Sequence, residues 1–150
     1  MRPSPSISRR LLPLITLLSL FVALSAACSN ATNDATLTRI KASDMLDRLQ
    51  GRDSGRTLIL DSRPPEQYRA GHIPSAVNLR LEDLATGRTS GLDQYSSIVV
   101  YGQNPASATA VAMAKRLVSM GYRDVRLFDG GYDAWLRSGQ PASTTTPRQR

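Results

Sequence analysis

The sequence predicts an α/β domain in which a parallel β-sheet is covered by helices on both faces. Short apolar runs rich in β-branched residues recur along the chain, and segments with helical spacing of apolar residues lie between them. Strands that are apolar along their whole length are typical of a sheet that is buried on both sides. The alternation of such strands with helices is typical of parallel sheets.

The predicted elements follow one another between about Leu37 and Pro141. The apolar runs lie at residues 57–60, 76–79, 97–101 and 124–128. Helical spacing is marked by two groups: Met45, Leu46 and Leu49, and then Ala110, Met113, Ala114 and Leu117. Gly121 ends the second helix, and Gly130 and Gly131 predict a tight turn into a last helix, in which Trp135 packs in the core. Functional sites in such sheets form at the carboxyl ends of the strands.

Residues 1–27 have the features of a secretory signal peptide. Residues 1–10 carry three arginines and no acidic residue, residues 11–27 are apolar, and small residues precede Cys28. The apolar run is short for a membrane span of about 20 residues, and Pro13 would weaken its first turn. We therefore expect this segment to direct export.

Residues 24–28 read LSAAC, which resembles the lipobox of bacterial lipoproteins, although Ser25 stands where leucine is usual. The resemblance implies cleavage before Cys28, acylation of its sulfur, and a membrane-anchored lipoprotein of the cell envelope that faces the periplasm or the cell exterior. The alternatives are an ordinary cleaved signal that leaves a free thiol, or an uncleaved anchor helix. Acyl chains hold a protein on a membrane by burying their methylene groups.

Small polar residues flank the predicted domain on both sides. Residues 28–36 are expected to be the lipidated N-terminus and a flexible tether, and residues 142–150 a disordered tail. The folded domain is therefore predicted to span residues 37–141.

Composition excludes several classes of site. The 150 residues contain one cysteine and one histidine, His72, so neither an intrachain disulfide nor a cysteine-rich or multi-histidine metal site can form. The net charge of +7 falls to +4 in a chain that begins at Cys28, because three arginines precede that residue and every acidic residue follows it. No basic cluster or aromatic stripe indicates nucleic-acid binding. We expect no cofactor, no metal and no nucleic-acid partner.

Six motifs occur in order along the predicted domain. They are LILDSRPPEQY at 58–68, GHIPSAVN at 71–78, IVVY at 98–101, GYRDV at 121–125, GGYDAW at 130–135 and GQP at 139–141. This set resembles the rhodanese-like (sulfurtransferase) domain family. The resemblance implies a single domain with a five-stranded parallel sheet, helices on both faces, and an active-site loop after the fourth strand.

The sequence departs from active members of that family at the residue that carries the chemistry. Those members have a cysteine directly after the fourth strand, where its thiolate takes up sulfur as a persulfide. Here Gly102 holds that position, and Asn104 stands where some members have a second cysteine. Cys28 cannot substitute, since it lies in the signal region and acylation would occupy its sulfur. We therefore predict the family fold without the catalytic nucleophile.

The loop after the fourth strand is nevertheless a candidate binding site. Its candidate residues are Gly102, Gln103, Asn104, Ala106 and Ser107, whose N–H groups are expected to converge before a helix and to cradle an anion. Gly102 is expected to leave space for a small ligand, and Ser107 is expected to be a helix N-cap rather than a nucleophile. The alternative is a loop that binds no ligand.

Three further polar residues lie near the predicted strand ends. Asp61 and Arg63 follow a strand and could flank the site, with an ion pair or backbone hydrogen bonds as their expected role. His72 is expected to be a structural hydrogen-bonding residue in a turn.

The sequence thus favours a membrane-anchored, non-catalytic rhodanese-like domain of the bacterial cell envelope. It would bind a protein partner, a small anion or a sulfur compound. The alternatives are a sulfurtransferase-related enzyme that handles reduced sulfur with a partner's thiol, and a purely structural envelope protein.

Overall fold

A computed structural model describes residues 37–52, 55–87 and 89–145. The predicted signal peptide, Cys28 and the predicted tether lie outside the described residues, as do residues 146–150 of the predicted tail. The signal and lipidation predictions therefore remain predictions.

The described chain alternates strands and helices from its first element to its last. The strands are β1 (Thr38–Ile40), β2 (Thr57–Asp61), β3 (Val77–Asn78), β4 (Ser97–Tyr101) and β5 (Val125–Phe128). The helices are α1 (Ala42–Leu49), α2 (Pro65–Ala70), α3 (Leu81–Ala85), α4 (Ala108–Ser119) and α5 (Gly131–Arg137), with a 3-10 turn at Leu92–Gln94. The sequence patterns had not indicated β1 and α3.

The strands form one parallel sheet in the order β1-β5-β4-β2-β3. Each of the first four strands is followed by a helix that carries the chain back for the next parallel strand, which is how parallel strands are connected, and α5 follows the last strand. The predicted α/β fold, with a five-stranded parallel sheet and helices on both faces, is confirmed.

The alternation of side chains along the central strands divides the core into two layers. In β4, Ile98 and Val100 pack on the face covered by α3 and α4, whereas Val99 and Tyr101 pack on the face covered by α1, α2 and α5. Both layers are buried, which explains why β4 is apolar along its whole length.

The register of β2 against β4 places polar side chains in one of these layers. Asp61 and Tyr101 are the last residues of their strands and are directly paired. Both are fully buried, and Tyr101 belongs to the layer that α5 covers. Because a buried carboxyl group needs partners, this strand end must be supplied with hydrogen-bond donors.

The chain beyond α5 packs on the domain as far as the structure describes it. Ser143 forms an antiparallel bridge with His72, in which each backbone N–H donates to the other residue's carbonyl, and the N–H of Thr145 donates to the Arg69 carbonyl at 3.2 Å. The prediction of a disordered tail from residue 142 was wrong for these residues. The reason is that the turn at His72 has backbone groups that need partners.

Among the residues that the structure describes, no helix is both long enough and apolar enough to cross a membrane.

The core predicts how single truncations affect stability. Leu60 is 0% exposed in β2, between β4 and β3, and Leu60→Ala should lower the free energy of unfolding by about 2–5 kcal/mol because it leaves a cavity. Leu136→Ala is the matched control, since Leu136 is 46% exposed on α5. Urea unfolding followed by circular dichroism measures both variants. Equal stability of the two would contradict the assignment of Leu60 to the core.

Candidate functional site

The candidate site lies at the carboxyl ends of β2 and β4. Asp61 is the last residue of β2, Arg63 follows it, and Gly102 is the first residue after β4. The Nη1 of Arg63 lies 3.0 Å from Oε1 of Gln103 and donates a hydrogen bond to it. The structure therefore brings together the two groups of residues that the sequence had singled out.

Asp61 and Arg63 form the expected ion pair, and it is buried. Asp61 is 0% exposed and Arg63 is 4% exposed. Nη2 of Arg63 donates to Oδ2 of Asp61 at 2.7 Å, and Nε lies 3.0 and 3.1 Å from the two carboxyl oxygens. Such two-pronged pairs fix the geometry of both side chains.

Further groups form hydrogen bonds to the pair. The Tyr101 hydroxyl donates to Oδ2 of Asp61 at 2.6 Å, and Nη2 of Arg63 donates to the Gly71 carbonyl at 2.7 Å. The guanidinium carbon of Arg63 lies 4.1 Å from the centre of the Tyr132 ring, a cation–π contact. The network therefore connects β2, β4, α5 and the turn at Gly71.

The environment shifts two pKa values in ways that keep this network intact. Burial, and then the neighbouring Asp61 carboxyl group, raise the pKa of Tyr101, so its phenol remains a hydrogen-bond donor. Burial alone would lower the pKa of Arg63, but the hydrogen bond and the charge of Asp61 outweigh it and raise that pKa. Arg63 therefore stays protonated.

The loop of residues 102–107 folds around the side chain of Ser107. The Ser107 hydroxyl accepts hydrogen bonds from the N–H groups of Gln103 at 2.9 Å and Asn104 at 3.2 Å. The N–H of Ala106 donates to Oδ1 of Asn104 at 3.0 Å, and the N–H of Ser107 donates to the Asn104 carbonyl at 3.1 Å.

These bonds correct the expectation of an open anion cradle. The N–H groups of Gln103, Asn104, Ala106 and Ser107 are all engaged within the loop, and Pro105 has none to offer. A short hydroxyl side chain competes well for nearby backbone groups, and here it takes the place that an anion would occupy.

The expected space beside Gly102 is also filled. A Cβ placed on Gly102 would lie 2.4 Å from Cβ and 2.6 Å from Oγ of Ser107, closer than real Cβ atoms approach other atoms. The expectation of room for a small ligand was therefore wrong. The two residues are complementary: Gly102 has no side chain, and this leaves room for the Ser107 side chain, whose hydroxyl accepts the hydrogen bonds of the loop.

Ser107 occupies the predicted N-cap position, but its side chain has a different role. It is the N-cap residue of α4, but its side chain makes no hydrogen bond to the helix amides. The hydroxyl points back to Gln103 and Asn104 instead. The prediction of an N-cap was correct in position and wrong in the bonds it implied.

Helix α5 holds the loop from its other side. The N–H groups of Tyr132 and Asp133 donate to the carbonyls of Gly102 and Gln103, each at 2.9 Å. Gly131 has a φ of +62°, and a Cβ there would lie 2.6 Å from the Gly102 carbonyl oxygen. Glycine is therefore required at this position both by conformation and by the close approach of the loop.

Both polar atoms of the Gln103 side-chain amide form hydrogen bonds. Its Oε1 accepts from Arg63, and its Nε2 donates to Oδ1 of Asp133 at 2.5 Å. Sequence reasoning had not singled out Asp133, which lies 30 residues away in the chain. Its position two residues after Gly131, in the first turn of α5, was the one available signal.

His72 is a structural residue, as the sequence suggested. Its Nδ1 lies 2.9 Å from the Tyr68 carbonyl oxygen, and its ring stacks on the Tyr68 ring at 3.9 Å. Within the described residues, no group of histidine, cysteine and acidic side chains could hold a metal ion.

Comparison with known proteins identifies the family. A family model described as the rhodanese-like domain matches residues 42–138. The chain belongs to the rhodanese-like domain family. The match begins with α1 and ends just beyond α5, so it includes the whole site.

Solved structures agree with this membership. The solution structure of a rhodanese-like domain from Anabaena is 29% identical, covers 75% of this chain and 86% of that chain, and has a TM-score of 0.60. A protein from Bacillus halodurans has the same fold, with a TM-score of 0.64 at 23% identity, over 72% of this chain and 77% of that chain.

A longer curated relative also matches the chain. An HTH-type transcriptional regulator from Mycobacterium tuberculosis is 31% identical over 126 residues, which are 84% of this chain and 52% of the regulator. This rhodanese-like chain thus spans about half the length of that relative.

The buried ion pair predicts a large effect of one substitution. Arg63→Met should lower the free energy of unfolding by about 3–5 kcal/mol, because it leaves the Asp61 carboxyl group buried without its counter-charge. Arg137→Met is the control, since Arg137 is exposed at the end of α5. Denaturant unfolding of both variants is the measurement. A loss in Arg63→Met no larger than in the control would contradict this role for the pair.

Proposed function

We propose that this rhodanese-like domain is a lipid-anchored, non-catalytic protein of the bacterial cell envelope that acts by binding a protein partner. The observation that carries the proposal is the pair formed by Gly102 and Ser107. Glycine stands where family resemblance puts the nucleophile, and the serine side chain fills the space beside it.

The missing thiol argues against sulfur transfer. A thiolate is the nucleophile that would take up sulfur, and glycine offers no atom that could form a persulfide. The one cysteine of the chain, Cys28, lies outside the described domain and at the proposed acylation point. A side chain at position 102 would also collide with Ser107.

The bonding of the loop argues against a small anion as the ligand. An anion would need free N–H donors, but those of Gln103 and Asn104 already donate to the Ser107 hydroxyl. A protein partner needs no such donors, because it can recognise the outer surface of a rigid loop.

The proposed anchor is supported by the sequence before the domain. A basic start, an apolar run and the LSAAC ending precede Cys28, and eight small or polar residues separate it from Leu37. Each buried methylene of an acyl chain contributes about 0.8 kcal/mol, so two or more chains would anchor the domain firmly.

The Gly102–Ser107 pair predicts the outcome of a sulfur-transfer assay. The unmodified protein should transfer no sulfur from thiosulfate to cyanide. Gly102→Cys alone should stay inactive, because Ser107 blocks the new side chain and occupies the N–H donors. The double variant Gly102→Cys with Ser107→Gly should transfer sulfur on the order of 10²-fold faster than the single variant, because two N–H donors are freed to stabilise anions.

Two controls make this assay decisive. Ser107→Gly alone opens the loop without supplying a thiol and should be inactive, and thermal unfolding checks that each variant folds. Robust turnover by the unmodified protein would overturn the proposal that the domain is non-catalytic.

The anchor is tested separately by detergent-phase partitioning of the protein from bacterial membranes. Cys28→Ser should move the protein from the detergent phase toward the aqueous phase, because no acyl chain can be attached. Ser29→Ala is the matched neighbouring control and should leave partitioning unchanged. A Cys28→Ser protein that partitions like the unmodified one would reject the lipid anchor.

A further inference from the structure

Acidic and basic side chains are distributed unequally along the helices. Every helix follows a parallel strand, so helices begin at the carboxyl end of the sheet and run back toward its amino end. Acidic residues occupy first turns of helices: Asp44, Glu66, Glu82, Asp83 and Asp133. Basic residues occupy last turns: Arg48, Arg69, Arg116 and Arg137. Charges placed in this way complement the helix dipoles.

The surface at the amino end of the sheet has more positive charge than is needed to complement the helix dipoles. We call this surface the basic end, and define it by Arg48, Arg52, Arg56, Arg116, Arg123 and Arg126 together with Asp47, Asp93 and Asp124. The described residues of the basic end thus carry an excess of three positive charges. Arg52, Arg56 and Arg123 lie in the loops before strands, beyond the last helical turns, so the helix dipoles do not account for them.

Contacts between segments show that these loops form one surface. Nη1 of Arg48 donates to Oγ of Ser97 at the start of β4, at 3.3 Å. Nη2 of Arg56, just before β2, donates to Oε1 of Gln94 at 3.2 Å. The N–H of Ile98 donates to the carbonyl of Asp124, just before β5, at 2.8 Å.

Two arginines of the basic end have charges that are available to a partner. Arg116 and Arg123 are exposed, and neither forms an ion pair with a carboxylate of the described residues. Between them along the chain lies Met120, an apolar side chain that is 37% exposed. Two cations beside an exposed apolar group suit the boundary between lipid headgroups and acyl chains.

The chain also enters the domain at this end. Leu37 is buried and immediately precedes β1, whose parallel direction places its start at the amino end of the sheet. Eight residues separate Leu37 from Cys28, and even a fully extended chain between these two residues spans only about 30 Å. A lipid anchor at Cys28 would therefore hold the basic end near the membrane; this step rests on the proposed function.

We propose that the basic end docks on the headgroups of an anionic phospholipid bilayer. The carboxyl end of the sheet, which we call the acidic end because the acidic first turns of the helices lie there, also carries the loop of residues 102–107. In the docked protein it faces away from the membrane and is presented to the protein partner. Each arginine held near an anionic surface favours docking by about five-fold, so Arg116 and Arg123 together contribute about thirty-fold.

The test uses the mature, lipid-anchored protein reconstituted in vesicles. One sample has vesicles of phosphatidylglycerol and phosphatidylcholine, and the other has phosphatidylcholine alone. A nitroxide attached through Met120→Cys reports the basic end, and one attached through Ala106→Cys reports the exposed loop at the other end. Collision of each nitroxide with a water-soluble nickel chelate measures its exposure to water.

Docking predicts a specific pattern of protection. The Met120→Cys label should lose about five-fold or more of its nickel collisions in anionic vesicles but not in neutral ones, and the Ala106→Cys label should lose none in either. Salt at about 1 M should restore the collisions, because it shortens the Debye length to about 3 Å.

A charge-matched pair of variants tests the named residues. Arg116→Gln with Arg123→Gln should lower the ratio of docked to undocked protein about thirty-fold. Lys41→Gln with Arg80→Gln removes the same charge from the starts of α1 and α3, at the acidic end, and should leave the ratio unchanged.

The outcomes separate this inference from the anchor on which it rests. Equal nickel collisions of the Met120→Cys label in both vesicle types, with the protein still floating with the vesicles, would overturn the docking surface and leave the anchor in place. Protection of the Ala106→Cys label instead would overturn the proposed orientation. A protein that floats with neither type of vesicle would contradict the lipid anchor itself, and the inference with it.

Discussion

The buried ion pair between Asp61 and Arg63 determines how the loop after β4 is held. Asp61 must be supplied with donors because the end of β2 lies in the core, and Arg63 supplies them. The same guanidinium reaches Gln103 in the loop, and Gln103 in turn reaches Asp133 on α5. The charge that satisfies the core therefore also fixes the shape of the site.

The loop after β4 carries no thiol and is closed by its own hydrogen bonds. In this chain the N–H groups of Gln103 and Asn104 bond to a hydroxyl from the loop itself, and Gly102 provides the room for it. A rigid, internally satisfied loop is a poor site for a small anion and a well-defined surface for a protein. This is the physical link between two local residues and the binding role that we propose.

The sequence allowed the sheet to be predicted because its central strands are buried on both faces and are therefore apolar throughout. It gave no signal for β1, which has only three residues, two of them exposed, or for α3, which is too short to show a helical period. Asp61 and Arg63 could be placed because strand ends meet at one edge of a parallel sheet. The hydrogen bonds of Ser107 could not be predicted from the sequence, because they depend on how closely α5 approaches the loop at Gly131.

The most direct test of this account is an NMR titration with thiosulfate that follows the backbone amide signals of Gln103 and Asn104. If the Ser107 hydroxyl occupies these donors, the two signals should not move in the unmodified protein. In Ser107→Gly, which frees both N–H groups, they should shift and saturate. Saturable shifts of both signals in the unmodified protein would contradict the central claim that the loop is closed to anions from within.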